Sequence, residues 1–516
     1  MIVSDIDPLT PIVVGTGQSS ERIGEPGYRR LSPVELAAEA AREALAETGA
    51  DPAEVAAAVD TVAGVRQFEI SAPGIPSPLG RSNNYPRSVA GRVGAAPRRA
   101  VLETAGGQAP QHLVNELAAT IAAGAAEVVL LFGSEAISTT QHLAGAAPQD
   151  RPDFGESVEG SLEDRGYGLD GLVSPAQIVH RLTDAPSQYA LFDNARRARL
   201  GQTRQEYAAG MGALFAPFTK IAAVNPHAAA PVERGAAELV TPTESNRLIA
   251  DPYTRYLVAR EKVNQGAAVV LMSVAAARRL GVPEDRWVFL HGHADLRERD
   301  LLDRADLSTS PAATMAVRHA LEQAGVEASD LAAIDLYSCF PIAVSNVCEG
   351  LGLPVDGSRE LTVTGGLPFF GGAGNNYSMH AIAEVVRRVR ALPGAYGLVG
   401  ANGGALSKYS AGVYSTAPAP WRADRSAELQ SEIDSWAPVE QAPQPHGRAT
   451  IETCTVKHRR DGRRTGFVIG RVEGGARFLA LADDERTLDL LSEGEPIGEP
   501  IHVRPSNTGN RATLTP

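Results

Sequence analysis

Apolar runs alternate with helical stretches along most of the chain and predict an α/β fold. Residues 11–15 and 127–133 are near-continuous apolar runs of strand length, which are typical of strands buried inside a parallel sheet. A serine followed by proline begins a helical stretch over residues 32–49 that ends at glycine. The same arrangement returns over residues 310–325. The repeat indicates two α/β halves built alike.

Shorter apolar runs predict the other strands of these halves, at residues 59–65, 99–103, 267–272, 286–291, 333–337, 361–364 and 397–399. The first half is expected to comprise residues 1–144 and 253–276, and the second half residues 277–415. Residues 145–252 break the alternation with a segment rich in Pro, Gly, Arg and Asp. We expect this segment to be an insertion that packs on the core and covers a ligand.

The last hundred residues have a different sequence pattern, with proline-rich stretches and short predicted strands in place of alternating strands and helices. Residues 416–445 begin and end with short proline-rich stretches and are interpreted as a linker. Residues 446–516 contain several short strand patterns with glycine turns, which predict a small β-barrel like that of the oligonucleotide/oligosaccharide-binding (OB) type. The acidic stretch 484–495 argues against nucleic acid as its ligand. The arginines at 459–460 and 463–464 fall in a predicted hairpin turn and are interpreted as a solvated loop.

Composition narrows the function classes. The chain has 516 residues and a formal net charge of −13 at pH 7, which disfavours binding to nucleic acid. No apolar stretch approaches the ~20 residues of a membrane span. Three cysteines, Cys339, Cys348 and Cys454, favour neither a disulfide framework nor a metal site. Residues 1–5 lack a signal-peptide pattern, so we predict a cytoplasmic protein. Because no His/Cys spacing typical of a metal site occurs, we expect no bound metal.

Four short motifs in order carry a family resemblance. They are an Ala-Gly turn, apolar strand and Gly-Ser-Glu at 121–135, Tyr-Ser-Cys-Phe at 337–340, a glycine-rich loop at 365–373 and Gly-Ala-Asn-Gly-Gly at 400–404. Together they resemble the thiolase superfamily. The match is closest to its lipid-transfer (sterol-carrier-protein) type and to actinobacterial thiolase-like proteins with an added C-terminal domain. Asn-Pro-His-Ala at 225–228 supports that branch.

The resemblance implies a five-layered αβαβα fold, no cofactor, and CoA or an acyl-CoA as substrate or ligand. Thiolase chemistry needs a cysteine thiolate that accepts the acyl group, a base for the α-proton and an oxyanion hole. Here the nucleophile position falls at Gly107, between Gly106 and Gln108. The histidine position falls at Gly372, beside Ala373.

The remaining catalytic positions also differ from the family. The terminal cysteine position falls at Ala401 or Asn402, before Gly403, and Tyr337 opens the third motif. These departures put ordinary thiolase activity in doubt.

Several polar residues remain as candidates for a role at this site. Tyr337, Ser338, Cys339 and Phe340 follow a predicted strand, at the edge where open α/β sheets bind ligands. Cys339 is either a displaced nucleophile or a packing cysteine. Phenols can carry protons, so Tyr337 and Tyr377 are candidate proton carriers.

A predicted helix after Asn376 adds two further candidates. Backbone and side-chain amides at its start could hold a thioester oxygen, or the residues could be ordinary helix caps. His380, one turn on, is either a base or a satisfied core histidine.

For CoA we predict contacts from Arg196, Arg199, His227 and Arg247, on charge type and loop position alone. Three functions stay open. The first is an acyltransferase of the acetyl-CoA acetyltransferase type. The second is a retro-aldolase or lyase on a β-hydroxyacyl-CoA, and the third is a non-catalytic CoA-ester-binding protein. Thiolases usually pair through the first-half sheet edge, and the added domain could cover that contact, so we expect a monomer or a homodimer.

Overall fold

In a computed structural model of the chain, residues 6–169 and 172–514 are described. Residues 1–5, on which the signal-peptide prediction rests, lie outside this part. The strands are β1 Pro11–Ser20, β2 Thr61–Gly64, β3 Arg99–Leu102, β4 Val128–Glu135, β5 Glu163–Asp164, β6 Leu248–Ala250, β7 Tyr253–Thr254, β8 Gln265–Ser273, β9 Val288–Arg297, β10 Leu331–Leu336, β11 Tyr396–Gly403, β12 Lys408–Ser415, β13 Gly447–His458, β14 Arg464–Val472, β15 Arg477–Ala482, β16 Pro500–Arg504 and β17 Arg511–Thr513.

The helices connect and cover these strands. They are α1 Pro33–Glu47, α2 Pro52–Ala58, α3 Tyr85–Arg92, α4 Ala109–Ala122, α5 Ile137–Ala144, α6 Pro175–Val179, α7 Ala185–Arg199, α8 Arg204–Val224, α9 Ala236–Val240, α10 Val274–Leu280, α11 Pro311–Ala324, α12 Pro341–Leu351, α13 Tyr377–Ala391, α14 Ser426–Ser435 and α15 Glu485–Glu493.

The two halves form five layers, as the resemblance implied. In the first half the strand order is β5-β3-β2-β4-β8-β1, and in the second it is β9-β12-β11-β10. Only two residue pairs between β1 and β9 join the half-sheets. Helices α4 and α13 contact strands of both halves and lie between them, while α1 and α11 cover the two outer faces.

The predicted repeat corresponds to α1 and α11, which explains why the halves look alike in sequence. Ser32 caps α1 with a capping box, and Gly325 ends α11 in a left-handed conformation that favours glycine. Each helix is followed by a strand of the parallel part of its half-sheet, β2 or β10. Local start and stop signals therefore placed both units correctly.

The strand predicted at 361–364 is wrong. The backbone N–H groups of Val363 and Thr364 donate to one oxygen of Asp335 at 3.0 and 3.1 Å instead of to a neighbouring strand. Thr362 donates its hydroxyl to the same carboxylate at 2.8 Å. A buried carboxylate thus satisfies this loop in place of a strand ladder.

The C-terminal domain is a closed five-stranded barrel with the strand order β13-β14-β15-β17-β16-β13. β15 and β17 are parallel, and α15 lies between β15 and β16 in sequence. This arrangement confirms the OB-like barrel. The predicted linker at 416–445 contains α14, which packs on β9 of the core.

The sheet edge that thiolases use for pairing is covered within the chain itself. β5 pairs with β3 over Val101–Glu163 and Leu102–Asp164. Arg165, directly after β5, donates to Glu103 at 2.5 Å and to Glu116 at 2.6 Å. The segment that covers this edge belongs to the insertion, and not to the C-terminal addition as the sequence had suggested.

The described residues contain no clear membrane span. Among their helices, α8 alone has the length and apolar composition of a span, and 44% of its most apolar stretch is buried. Met211, Phe215 and Phe218 on α8 belong to the main hydrophobic core. A core helix of a globular protein meets the same criterion of length and composition.

Candidate active site

The loops that carry the motifs converge at the start of α4. The N–H of Gly106 donates to Asn375 Oδ1 at 2.9 Å, and Ser378 Oγ donates to the Gly107 carbonyl at 2.5 Å. Asn375 also donates to the Arg66 carbonyl at 2.7 Å. The start of α13 and the residue two positions before it, both from the second half, therefore fix the loop of the first half that holds the nucleophile position.

The space of a nucleophilic side chain at residue 107 is already occupied. A Cβ built on Gly107 would lie 2.1 Å from the Tyr337 hydroxyl and 2.6 Å from the Asn402 carbonyl oxygen. Both distances are far below van der Waals contact, and the second involves backbone that cannot rotate away. Tyr337 takes the position where the family's nucleophile would project, so glycine at residue 107 is a packing requirement.

Cys339 lies close to this point but is not activated. Burial raises the pKa of its thiol to about 12, and weak hydrogen bonds oppose the shift only in part. Asn402 Nδ2 lies 3.9 Å from its sulfur and donates to the Tyr189 hydroxyl at 2.6 Å. Because the thiolate is the reactive form, the interpretation of Cys339 as a packing cysteine fits the structure and a displaced nucleophile does not.

The two candidate tyrosines differ in their surroundings. Their rings meet edge to face, with centroids 5.4 Å apart. Tyr377 is fully buried and donates to Asp335 Oδ1 at 2.9 Å, with the Thr364 hydroxyl at 2.6 Å. Burial raises the pKa of both phenols, so both stay protonated. Tyr377 supports the fold, whereas the Tyr337 hydroxyl lies at the candidate site.

His380 is held as a neutral side chain. Its Nδ1 lies 2.7 Å from Gln18 Oε1, and its Nε2 is buried without a hydrogen-bond partner. Burial, reinforced by nearby His227, lowers its pKa to about 3. A histidine with this pKa is unprotonated at neutral pH and is a weak base.

Asn376 precedes α13 but does not cap it with its side chain. Both polar atoms of its amide are buried without a partner. Its Oδ1 lies 2.2 Å from the position of a Cβ on Gly133, so strand β4 must have glycine there. An unpaired buried amide next to the motif loops is available to a ligand.

The other motif positions surround the same point. Gln108 Oε1 lies 1.9 Å from the position of a Cβ on Gly403 and has no partner. Gly372 donates its N–H to the Arg260 carbonyl at 2.8 Å. Ser338 accepts the N–H of Leu367 at 3.2 Å. Three apolar positions, Phe340, Ala373 and Ala401, are fully buried and provide packing only.

Two of the predicted CoA-binding arginines form ion pairs within the protein. Arg196 is buried and pairs with Glu349 at 3.1 Å, and Arg199 pairs with the same carboxylate at 2.7 Å. Both guanidinium groups therefore already have a carboxylate partner, which charge type alone could not reveal, and their role as CoA ligands stays a prediction. Arg247 instead lines a cavity beside the site, and His227 Nδ1 lies 3.1 Å from the Ser20 hydroxyl at the mouth of a second cavity.

One polar cluster meets the distance criterion for a metal site. Ligand atoms of Glu103, His112 and Glu116 lie within 4.8 Å of one another. Arg165 pairs with both carboxylates, and His112 Nδ1 lies 3.2 Å from Asp295. The arginine already supplies the positive charge that a cation would bring, so the cluster is interpreted as an ion-pair network.

Sequence reasoning missed Asn375, Tyr189 and Glu135. Asn375 was assigned only to the start of a helix because its partners come from two distant segments, and Tyr189 lies in the insertion. Glu135 ends β4 and accepts the N–H of Phe68 at 2.7 Å. Burial raises the pKa of Glu135 well above its ordinary value. Its place in the Gly-Ser-Glu motif was the signal that could have drawn attention to it.

The five layers and the converging motif loops define a protein of the thiolase superfamily. Residues 428–508 match the family model of the thiolase-like protein type 1 additional C-terminal domain. The chain is 50% identical to a structure described as a monomeric SCP2-thiolase-like protein type 1 from Mycobacterium smegmatis, with a TM-score of 0.86 over 99% of this chain and 100% of that one. The chain belongs to the SCP2-thiolase-like protein type 1 family.

More distant structures share the fold alone. Human mitochondrial 3-ketoacyl-CoA thiolase is 17% identical, with a TM-score of 0.56 over 80% of this chain and 100% of that one. An Ltp2-ChsH2(DUF35) aldolase is 20% identical, with a TM-score of 0.57 over 79% and 98%. A comparison with curated protein sequences finds no match.

Proposed function

We propose that the protein binds CoA esters and does not form the acyl-enzyme of a thiolase. The observation that carries this proposal is the contact between residue 107 and the Tyr337 hydroxyl, which leaves no space for a nucleophile. Cys348 and Cys454 are buried, and burial raises the pKa of each thiol to about 12, as for Cys339. No cysteine in the described residues is therefore poised to accept an acyl group.

The ligand is proposed to reach the site past His227. A cavity of about 470 Å³ opens there and is lined by His227, Gln265 and Lys262. Gln265 Oε1 is buried without a partner at this cavity, and Gln265 Nε2 donates to the Phe370 carbonyl at 2.9 Å, next to the glycine-rich loop. Polar groups converging on a cleft of this size are typical of a small-molecule site.

A direct test is mass spectrometry of acetoacetyl-CoA incubated with CoA and the purified protein, alongside calorimetric titration with acetoacetyl-CoA. We expect binding, no acetyl-CoA above the buffer control and no acyl adduct on the protein. A Cys339→Ser variant serves as the matched control and should bind equally well. Acetyl-CoA formed by the wild-type protein and lost in this variant would overturn the proposal.

A second candidate is a lyase on a β-hydroxyacyl-CoA, favoured by the place of the Tyr337 hydroxyl. In a retro-aldol cleavage the substrate hydroxyl gives its proton to water and the carbon–carbon bond breaks to leave a carbonyl and an enolate. The enolate then takes up a proton from Tyr337, which water reprotonates. Burial keeps the Tyr337 phenol protonated, so it can donate a proton to that enolate but cannot act as the base. A Tyr337→Phe variant should then bind esters but not cleave them. Equal turnover of the two proteins would rule this candidate out.

We further propose that the protein is a monomer, since β5 covers the first-half sheet edge and the similar mycobacterial structure is described as monomeric. Light scattering after size exclusion tests this, and a stable dimer would contradict it. Cytoplasmic localisation and the lack of nucleic-acid binding stay predictions from composition.

A further inference from the structure

A strongly basic cavity lies where the insertion, the core and the barrel meet. Its volume is about 210 Å³. The charged residues that line it are six cations and a single carboxylate, namely Arg234, Arg247, Arg255, Arg260, Lys262, Arg460 and Glu261. On a chain with a net charge of −13, this concentration of positive charge favours a partner of opposite sign.

Most of these cations have no ionic partner. Within residues 6–169 and 172–514, ion pairs of the cavity are limited to Arg234, which pairs with Glu238 and lies 4.1 Å over the ring of Tyr256. Arg260 Nε is buried without a hydrogen-bond partner. Burial, then repulsion from neighbouring arginines, lowers the pKa of Arg247 and of Arg260. A bound anion would relieve both penalties.

The cavity adjoins the motif loops. The Arg260 carbonyl accepts the N–H of Gly372 at 2.8 Å, and the preceding residue, Ala259, donates its N–H to the Cys339 carbonyl at 3.1 Å. Two residues of the glycine-rich loop, Pro368 and Phe369, form part of the wall. A ligand whose anionic end lies in this cavity therefore has its other end within reach of the candidate active site.

The barrel contributes one wall through the β13–β14 turn. This turn is closed by the Arg459 N–H, which donates to the Arg463 carbonyl at 2.9 Å, and by Gly462 at a φ of 82°. Arg247 Nη1 donates to the His458 carbonyl at 3.2 Å and so ties the insertion to the start of the turn. Arg460, the next-but-one residue, lines the cavity.

We propose that the C-terminal barrel completes the part of the CoA site that binds phosphate, with Arg460 joining Arg255 and Arg260 around the phosphate groups. The inference rests on the proposed function, and it assigns a ligand contact to the added domain. Guanidinium groups suit this role because their donors match the geometry of phosphate oxygens.

The test is calorimetric titration of the full chain with CoA, dephospho-CoA and pantetheine. Arg460→Ala should weaken CoA binding about tenfold and leave pantetheine binding unchanged, because pantetheine carries no phosphate. Arg255→Ala should do the same. Arg459→Ala removes an identical charge from the same turn outside the cavity lining, so it should leave CoA binding within about twofold.

The outcomes separate the two proposals. A loss for CoA alone assigns Arg460 to the 3′-phosphate, and a loss for CoA and dephospho-CoA assigns it to the diphosphate; both support the inference. Wild-type affinity for CoA in Arg460→Ala would overturn the inference and leave the proposed function intact. An equal loss for pantetheine would also overturn it. If the wild-type protein binds neither CoA nor pantetheine, the proposed function fails as well.

Discussion

The Tyr337 hydroxyl lies 2.1 Å from the point where a side chain on residue 107 would begin. A cysteine placed at residue 107 is therefore predicted not to give thiolase activity. We expect Gly107→Ala and Gly107→Cys to lower the free energy of unfolding by about 1–3 kcal/mol through overpacking. Urea unfolding measures the change, and the mass-spectrometric assay should show no acetyl-CoA with Gly107→Cys.

Gly372→Ala is the matched control for this experiment. A Cβ there meets its nearest atoms at 3.4 Å, which is ordinary contact, and neither glycine has a positive φ. Its unfolding free energy should change by less than about 1 kcal/mol. If Gly107→Ala proves no less stable than Gly372→Ala, the packing account is wrong.

Asp335 is predicted to be a main support of the second-half loops. It accepts hydrogen bonds from Thr362, Val363, Thr364 and Tyr377 while fully buried. Asp335→Ala leaves these donors unpaired and should cost about 3 kcal/mol or more of unfolding free energy. Tyr377→Phe, which removes one donor, should cost about 1 kcal/mol. Chemical denaturation measures the loss of unfolding free energy in both variants. A larger loss in Tyr377→Phe than in Asp335→Ala would contradict this role of Asp335.

Stability should fall as pH rises through the range set by His112. Burial alone would lower its pKa, but attraction to Asp295 and hydrogen bonding to it outweigh burial and raise the pKa to about 9. The folded state therefore binds the proton more tightly than the unfolded state, whose pKa is about 6.5. The contribution is complete below about pH 6.5 and is lost as pH rises through about 9.

The measurement is the melting temperature of the wild type and of His112→Gln between pH 6 and 10. The wild type should be the more stable protein at pH 6, and the difference should shrink between about pH 6.5 and 9 and stay small above that. The side chain is 35% exposed, so solvent screening reduces the effect to about 1 kcal/mol or less. A difference that stays constant over this range would refute the assignment.

The thiols are predicted to be unreactive in the native protein. Burial raises the pKa of Cys339, Cys348 and Cys454 to about 12, so very little thiolate exists at pH 8. Iodoacetamide should label none of them rapidly until urea unfolds the chain, when all three react. Peptide mapping identifies the labelled cysteines. Fast labelling of Cys339 in the native protein would contradict its interpretation as an unreactive packing cysteine.

The parts of the fold that local signals determine could be predicted from sequence. The paired halves follow from Ser-Pro starts and glycine ends at α1 and α11, and the barrel follows from short strands between turns. The loop at 361–364 was assigned to a strand because its apolar and β-branched residues carry no trace of Asp335, which lies 28 residues before Val363. Long-range polar partners of this kind leave no local pattern.

The site was predicted in the same uneven way. Motif order brought Gly107 and Tyr337 to one site, but it could not show that the tyrosine hydroxyl fills the space of a side chain at residue 107. Arg196 and Arg199 were taken for phosphate ligands because their shared partner, Glu349, is distant in sequence. Arg460 is exposed in a turn, as the sequence predicted, but its place at the cavity could not be predicted because the rest of the lining comes from residues 230–262 and 368–369.

The barrel also bears on how the chain is made. Asn194 on α7 donates to the Cys454 carbonyl at 2.9 Å, although the two residues are 260 positions apart, and Thr453 donates to the Leu191 carbonyl at 2.6 Å. During synthesis the insertion leaves the ribosome long before β13 does, so these groups have no hydrogen-bond partner until β13 has been synthesised. A ribosome stalled before β13 would therefore hold an insertion whose backbone and amide groups lack these partners, so synthesis of the barrel is needed to complete the folding of the insertion.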